Sequence, residues 1–416
     1  MANNFIWGSN GILPKIEEHT KRKLDVLKNY LDVYFETVVR NPALDQLNIT
    51  LVDGFSGGGA YIDGAETRPG SPLVLLKSVE EAVDKLNEGR TKPLEINARF
   101  IFVDDEREHV EALRRELRRS GYSDDDPRIT ILNGTFVEHL PAIIHQIKLT
   151  QRKGRSIFFL DQFGYSDVPM SAIRTIFTTL DRAEAVLNFA IDSLLNYLQE
   201  ASAGLQLYQQ FGIDDRFISD WQQRKDEHMG RAITQRALMA HIHMNSGAKF
   251  FTPFMLWSRT DNRWMMLAHL SQHQAARDKM LNVHWQKQNS FTHIGQGGLF
   301  SLGYDTRLIE SCDSLFSFSE IDKTALNREL VNALPSEVHR IMNDGQLEVS
   351  RLLAEIGNRT AGTNNDIFHV LSELAQTREL EVFSKKGKIK RPGSRIAISD
   401  RLVKPSQPTL FFPYKW

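Results

Sequence analysis

Residues 47–59 constrain this chain more than any other stretch. An apolar run from Leu47 to Val52 reads as a buried strand. It continues without a break into Asp53-Gly54-Phe55-Ser56-Gly57-Gly58-Gly59. Glycines let the backbone turn through conformations closed to other residues and approach a ligand closely. The pattern of an apolar strand with a polar end then recurs. Residues 100–103 lead into Asp104-Asp105-Glu106, 129–132 into Asn133-Gly134-Thr135, and 156–160 into Asp161-Gln162-Phe163-Gly164, and 183–189 is a fifth strand. Helical segments alternate with them at 71–86, 108–120, 137–151 and 169–180. A longer helix over 15–39 precedes them, with Leu24, Leu27, Leu31, Phe35 and Val38 at three- and four-residue steps. This alternation predicts an α/β fold built on a Rossmann-like, doubly wound parallel sheet. Ligands of such sheets sit outside the carboxyl ends of the strands.

The remainder divides by pattern. Residues 192–245 read as a helical insertion, 250–258 and 263–270 as a β-hairpin, and 277–288 as a helix, which closes a first domain over 1–290. A helical connector is expected over 291–345. Residues 346–416 then show helices at 349–357 and 365–377 and short strands at 380–383 and 394–398 around a basic segment, the order of a winged helix. From Arg351 to Trp416 there are twelve Lys/Arg against six Asp/Glu. With a whole-chain net charge of −1, the rest of the chain therefore carries −7. A nucleic-acid footprint must accordingly be local, and the basic residues are Lys385, Lys386, Lys388, Lys390, Arg391 and Arg395. In a winged helix the wing contacts phosphates and the second helix enters a groove.

Cysteine usage narrows the chemistry. Cys312 is the single cysteine, which excludes a disulfide framework, a Cys-based zinc site or an iron–sulfur cluster held by this chain alone. His269 and His273 stand four apart and His241 and His243 two apart; they read as packing or surface histidines, and no metal is expected. No run approaches 18 apolar residues, so no membrane span is expected. A cytoplasmic protein is expected.

The glycine turn admits several chemistries. Gly54-Phe55-Ser56-Gly57-Gly58 matches the Gly-x-Ser-x-Gly nucleophile elbow of hydrolases, but it ends the first strand, with little chain before it to build an oxyanion loop. The dinucleotide pattern fails because Ile62 stands where its last glycine belongs. Asp-x-Phe-x-Gly-x-Gly at a first strand resembles the cofactor loop of class I S-adenosylmethionine (SAM) methyltransferases. That resemblance implies SAM as cofactor, held by Asp53, Phe55, Gly57 and Gly59. Asp104 would accept from the ribose hydroxyls, and Gly134-Thr135 would face the adenine, where methyltransferases often carry Asp. Amino methyltransferases place (Asp/Asn)-Pro-Pro-(Tyr/Phe) after the fourth strand. The match of Asp161-Gln162-Phe163-Gly164 implies that Asp161 orients a target NH₂ and that Phe163 or Tyr165 stacks on a flipped base.

Further motifs occur in a fixed order: His19-Thr20…Lys23…Leu27…Tyr30-Leu31, then Val52–Gly59, Gly70-Ser71-Pro72-Leu73, Leu160–Gly164, His269-Leu270-Ser271-x-His273 and Ala276-Arg277-Asp278-x-Met280. Over roughly residues 15–290 the chain resembles the three-Cys-motif partner (TcmP) family of methyltransferase-like proteins. The resemblance implies a radical-SAM-like partner that carries the three cysteines. Gln162 stands where that family usually has proline. Two functions follow as expectations. One is a SAM-dependent methyltransferase acting on an amino group of a DNA or RNA base. The other is a non-catalytic scaffold of the same fold that presents a substrate or peptide to the radical-SAM-like partner.

Overall fold

In a computed structural model the described residues are 7, 11–41, 43–151, 154–162, 167–190, 211, 213, 215–224, 230–258, 263–286, 293–294, 315–316, 318–342 and 344–405. The chain divides into two compact units, Met1–Thr292 and His293–Trp416.

The first unit opens with α1 (Glu18–Val38). Its buried residues Thr20, Lys23, Leu24, Leu27, Tyr30, Leu31 and Tyr34 follow the three- and four-residue steps of one helix face. The strand β1 (Gln46–Asp53) comes next, then a hairpin of β2 (Ala60–Asp63) and β3 (Glu66–Pro69), and α2 (Ser71–Asn87). Pro72 lies in the first turn of α2, where its missing N–H leaves no bond unmade. The alternation continues through β4 (Glu95–Asp104), α3 (Arg107–Arg119), β5 (Ile129–Asn133), α4 (Phe136–Thr150), β6 (Arg155–Leu160), α5 (Met170–Thr179) and β7 (Ala183–Phe189). Helices α6 (Asp215–Arg224) and α7 (Gly230–Ser246) fall in the expected insertion, whose residues 192–210 lie outside the described ones. An antiparallel pair, β8 (Phe250–Ser258) and β9 (Arg263–Ser271), and α8 (Gln274–Gln286) complete the unit.

The seven strands order as β5-β4-β1-β6-β7-β9-β8. The pairs joining β5 through β7 are parallel, and β9 is antiparallel to both neighbours. This is a mixed α/β fold around a parallel-dominated, Rossmann-like sheet. The chain runs outward from β1 through β4 to β5, then returns to the other side of β1 for β6. The crevice at the carboxyl ends of β1 and β6 is therefore the topological switch point, where open α/β sheets take ligands. On one face Val52, Ile101, Val103, Phe158 and Leu160 pack on apolar residues of α4 and α5. Alternation along β4 turns Phe100 and Phe102 to the opposite face.

The second unit holds a short pair of β10 (His293–Ile294) and β11 (Leu315–Phe316), then α9 (Glu320–Ile341), β12 (Gln346–Glu348), α10 (Val349–Ile356), α11 (Asn364–Gln376), β13 (Glu381–Phe383) and β14 (Arg401–Val403). Strand β14 lies between β12 and β13. Helix α9, which falls inside the expected connector, belongs to the same compact unit as the winged helix, and its Lys323 pairs with Asp366 of α11 at 2.6 Å. The strand expected at 394–398 is not formed. Those residues make turns held by Asp400, and the returning strand is Arg401–Val403. Among the described residues no helix is long and apolar enough to cross a membrane.

Candidate functional site

The glycine turn is pinned to the strands on both sides of β1. Gly54 N–H donates to Phe159 O on β6 at 2.9 Å and Ser56 N–H to Val103 O on β4 at 2.9 Å. Gly57 N–H donates to Asp104 Oδ2 at 2.8 Å. Gly57 and Gly59 have φ of 55° and 86°, the left-handed region that a side chain strains. Asp53, fully buried, accepts from Phe55 N–H through Oδ1 at 3.2 Å, while its Oδ2 and the hydroxyl of Ser56 are buried without a partner. Burial pushes the Asp53 carboxyl up to about 7. Ser71 at the start of α2 and Phe55 N–H oppose that rise, and the charges of Asp161 and Asp104 add to it. Buried polar groups in folded proteins are mostly hydrogen-bonded, so these two atoms call for a partner such as water, an ion or a ligand.

Asp104 ends β4, yet its carboxylate is already in use. Oδ2 holds the glycine turn, and Oδ1 accepts from Glu106 N–H at 3.1 Å and lies 2.9 Å from His109 Nδ1. The first thing this carboxylate does is therefore fix the loop. Thr135, expected beside an adenine, is the N-cap of α4: Glu138 N–H donates to its hydroxyl at 3.3 Å, and Glu138 returns a bond to Thr135 N–H at 3.0 Å. Phe55 is half-buried, with its ring 6.5 Å from that of Phe136, so it leans on the apolar core.

Trp7 lies over the turn, a contact the sequence reading did not contain. Its indole N–H donates to Ala60 O at 2.7 Å, and its ring meets Tyr61 and His109 edge-on at 5.3 and 4.9 Å. A Cβ on Gly58 would stand 2.2 Å from Trp7 Cγ, and one on Gly57 2.7 Å from its ring. These two glycines are thus required by the indole itself. The N-terminal segment is tied down beyond it by Ile16 N–H to Ile62 O and Ile62 N–H to Pro14 O, both 2.9 Å.

Asp161, just past β6, is held by Lys23 of α1, whose buried Nζ lies 2.5 Å from Oδ1. Gln162 is fully buried, and its Oε1 accepts from Asp167 N–H and Val168 N–H, both at 3.1 Å. Its main-chain carbonyl accepts from Asn188 Nδ2 at the end of β7, at 3.3 Å. Gln162 Nε2 and Asn188 Oδ1 remain buried without partners. Phe163 and Tyr165 lie outside the described residues. The switch point thus gathers Asp53, Asp104, Asp161 and Asn188 from four strand ends, with Lys23 supplied by α1. Lys23 stands in the ordered motifs, but nothing local in the sequence assigns it a partner. Asn188 is the one polar residue near the carboxyl end of an otherwise apolar run, Ala185–Phe189, which was the available signal for it.

Away from this edge, Glu184 near the start of β7 accepts from the Tyr30 hydroxyl and meets His269 Nε2 at 3.2 Å, all three buried. Burial and the Glu184 charge raise the Tyr30 hydroxyl well above its usual value. His19 lies 3.2 Å from Glu17, and His241 Nε2 faces Phe211 O at 2.8 Å. Among the described residues no group of three His, Cys, Asp or Glu stands in metal-holding geometry.

In the second unit the wing is a built element. Ser384 N–H donates to Lys388 O and Gly387 N–H to Ser384 O, both at 2.8 Å. That closes a three-residue loop with Gly387 at φ 75°, the position such loops reserve for glycine. Lys385, Lys386, Lys388, Arg391 and Arg395 are exposed. Lys390 differs from them: its Nζ donates to Asp400 at 2.5 Å and to Arg395 O at 2.8 Å, so its charge is spent inside the wing.

The family described as GMT-like wHTH domain matches residues 303–387, which places a winged helix-turn-helix domain in this unit. Among curated proteins none matches the chain. Among solved structures the chain is similar to a protein from Legionella pneumophila str. Philadelphia 1, at 10% identity over 59% of this chain and 84% of that one, with a TM-score of 0.31. It is similar to a methyltransferase from Geobacter sulfurreducens, at 14% identity over 62% and 81%, with a TM-score of 0.25. Spermidine synthase from Thermotoga maritima shares 9% identity over 72% and 70%, with a TM-score of 0.27.

Proposed function

We propose that the chain is a SAM-dependent methyltransferase that modifies an amino group of a nucleic-acid base and holds its substrate with the winged helix. The observation that carries this reading is Asp53, a buried carboxylate with one oxygen unpartnered, set at the glycine turn of the switch point beside the unpartnered hydroxyl of Ser56. Asp104 and Asp161 add negative charge around it, and Lys23 offsets only Asp161. Such an edge favours a ligand with positive charge, and SAM carries both an ammonium and a sulfonium. When bound, SAM supplies an activated methyl that an aligned nitrogen lone pair can take without a strong base.

The chain's own residues would supply alignment. Lys23 holds Asp161 through one oxygen, which leaves the other to accept from an N–H of the target amine. Gln162 fixes the chain beyond it through Asp167 and Val168. Positioning of that kind is worth about 7–11 kcal/mol of barrier. Calorimetric titration with SAM tests the cofactor site: saturable binding is expected, lost in Asp53→Ala. A radiolabelled-methyl assay on DNA and RNA tests the acceptor site. Asp161→Ala should keep SAM binding and lose transfer, and full turnover in that variant would sink the assignment.

The ion pair itself favours a second reading. A carboxylate already neutralised by a buried lysine is less available to a substrate, and the ordered motifs resemble the three-Cys-motif partner family. In that reading the fold is a scaffold for a radical-SAM-like protein. Copurification of a stoichiometric partner, with no methyl transfer, would support it.

A further inference from the structure

We propose that the winged helix grips duplex nucleic acid through its wing alone, as a reader of phosphate and not of base sequence. This rests on the reading that the chain acts on nucleic acid, and names which surface makes the contact.

The contrast lies between two neighbouring elements. Helix α11 is the second helix of the helix-turn-helix, the one that would enter a groove, and it contains no Lys or Arg. Its side carries Glu373, which lies 3.4 Å from His369, and Asp366, which is engaged by Lys323 and caps the helix through Thr363. Asn365 and Gln376 are exposed and could in principle meet base edges, but they stand at opposite ends of the helix, about 16 Å apart at 1.5 Å per residue. Glu373 lies one turn before Gln376, where a phosphate rail would be repelled. Base readout needs several side chains presented together and flanking cations to hold the helix in the groove.

The wing concentrates what α11 has only beyond its end, where Arg378 is exposed two residues past Gln376. Five cations project from it, and the backbone beneath them is fixed by the bonds of Ser384, Gly387 and Lys388 at the tip. A second set of bonds fixes its base: Ser394 N–H to Arg391 O at 3.0 Å, Ala397 N–H to Asp400 at 2.7 Å, and the Lys390 ammonium to Asp400. Lys390 therefore organises the wing and leaves five charges for phosphates. Contacts to phosphate set affinity and position but carry no sequence.

The test uses the full chain and fluorescently labelled 20-base-pair DNA duplexes of unrelated sequence, with double-stranded RNA as a parallel arm. Affinity should agree within about threefold across the DNA sequences. It should fall about 100-fold between 100 and 300 mM KCl, a log–log slope near −4.5 for five contacts. A variant with Lys385→Gln, Lys386→Gln and Lys388→Gln should flatten the slope by about 2.7. These residues are exposed, so its circular dichroism should match the parent. Substituting Asn365→Ala and Gln376→Ala together should leave binding within twofold. Equal DNA and RNA affinity would place recognition in the phosphate rail shared by both. A preference of 100-fold among DNA sequences, or loss of binding in the α11 variant with the wing variant intact, would overturn the proposal while sparing the nucleic-acid reading. Binding to no duplex at 50 mM KCl would overturn both.

Discussion

Lys23 and Asp161 meet at 2.5 Å although 138 residues of chain separate them. One comes from the first helix, the other from the end of the fourth parallel strand, and the lysine is buried. Their contact fixes how far α1 stands from the switch point.

Removing one partner of a buried pair leaves a charge without compensation. Lys23→Met keeps the aliphatic stem and should cost about 2–3 kcal/mol in urea unfolding, since Asp161 retains some access to water. Lys23→Met combined with Asp161→Asn should cost less than the two single changes added together. Additivity would show that the pair is not coupled.

Asp53 makes stability and binding depend on pH in opposite directions. Its carboxyl sits near 7 in the folded chain against an ordinary value of 3.8, so the folded state holds its proton more tightly. Stability from this group is therefore present at low pH and lost as pH rises from about 4 to 7, by an amount on the order of 4 kcal/mol. Asp53→Asn should melt at a higher temperature than the parent at pH 8 and at the same temperature at pH 5. A cationic ligand wants the ionised form. SAM affinity should accordingly rise about tenfold from pH 6 to pH 8 and flatten above, with a proton released on binding that calorimetry in two buffers can count.

Gly58 and Trp7 occupy one space. Gly58→Ala places a methyl 2.2 Å from the indole and should destabilise the chain by about 1–3 kcal/mol, with a red shift in tryptophan emission as the ring is displaced. In a Trp7→Gly background the same alanine should cost less than about 0.5 kcal/mol, because the ring and the Trp7 Cβ, which would stand 2.8 Å away, are then both gone. An equal cost in both backgrounds would mean that the glycine serves some other contact.

The sheet and its polar edge were legible because each strand is an apolar run that stops at a polar residue. Asp53, Asp104 and Asp161 could be placed at one edge on that ground alone. The hairpin Ala60–Asp63 with Glu66–Pro69 has no such apolar run to mark it. Its signal was Gly64, at the first position of a two-residue turn and with φ of 66°, between strands too short and polar to show alternation. The wing strand was placed a few residues early, since Ile396 and Ile398 alternate as strand residues do while their backbone turns onto Asp400. Trp7 on Gly58, Lys23 on Asp161 and Asn188 on Gln162 join residues far apart in sequence, and no local period encodes such partners. Lys390 counted as one cation among six because composition cannot show that a charge is already answered by Asp400.

Besides surface pairs such as Lys21 with Asp63, helix α1 is fastened to the seven-stranded sheet by Lys23 to Asp161 at its carboxyl edge and by Tyr30 to Glu184 below it. A chain begun at Gln46 would thus lose more than a surface layer. It would bare two acids on adjacent strands at once, along with the flank of α2 and α8 against which α1 lies. Without α1, Asp161 loses its lysine and Glu184 keeps His269 but loses its tyrosine, so trimming at the front acts on the middle of the sheet.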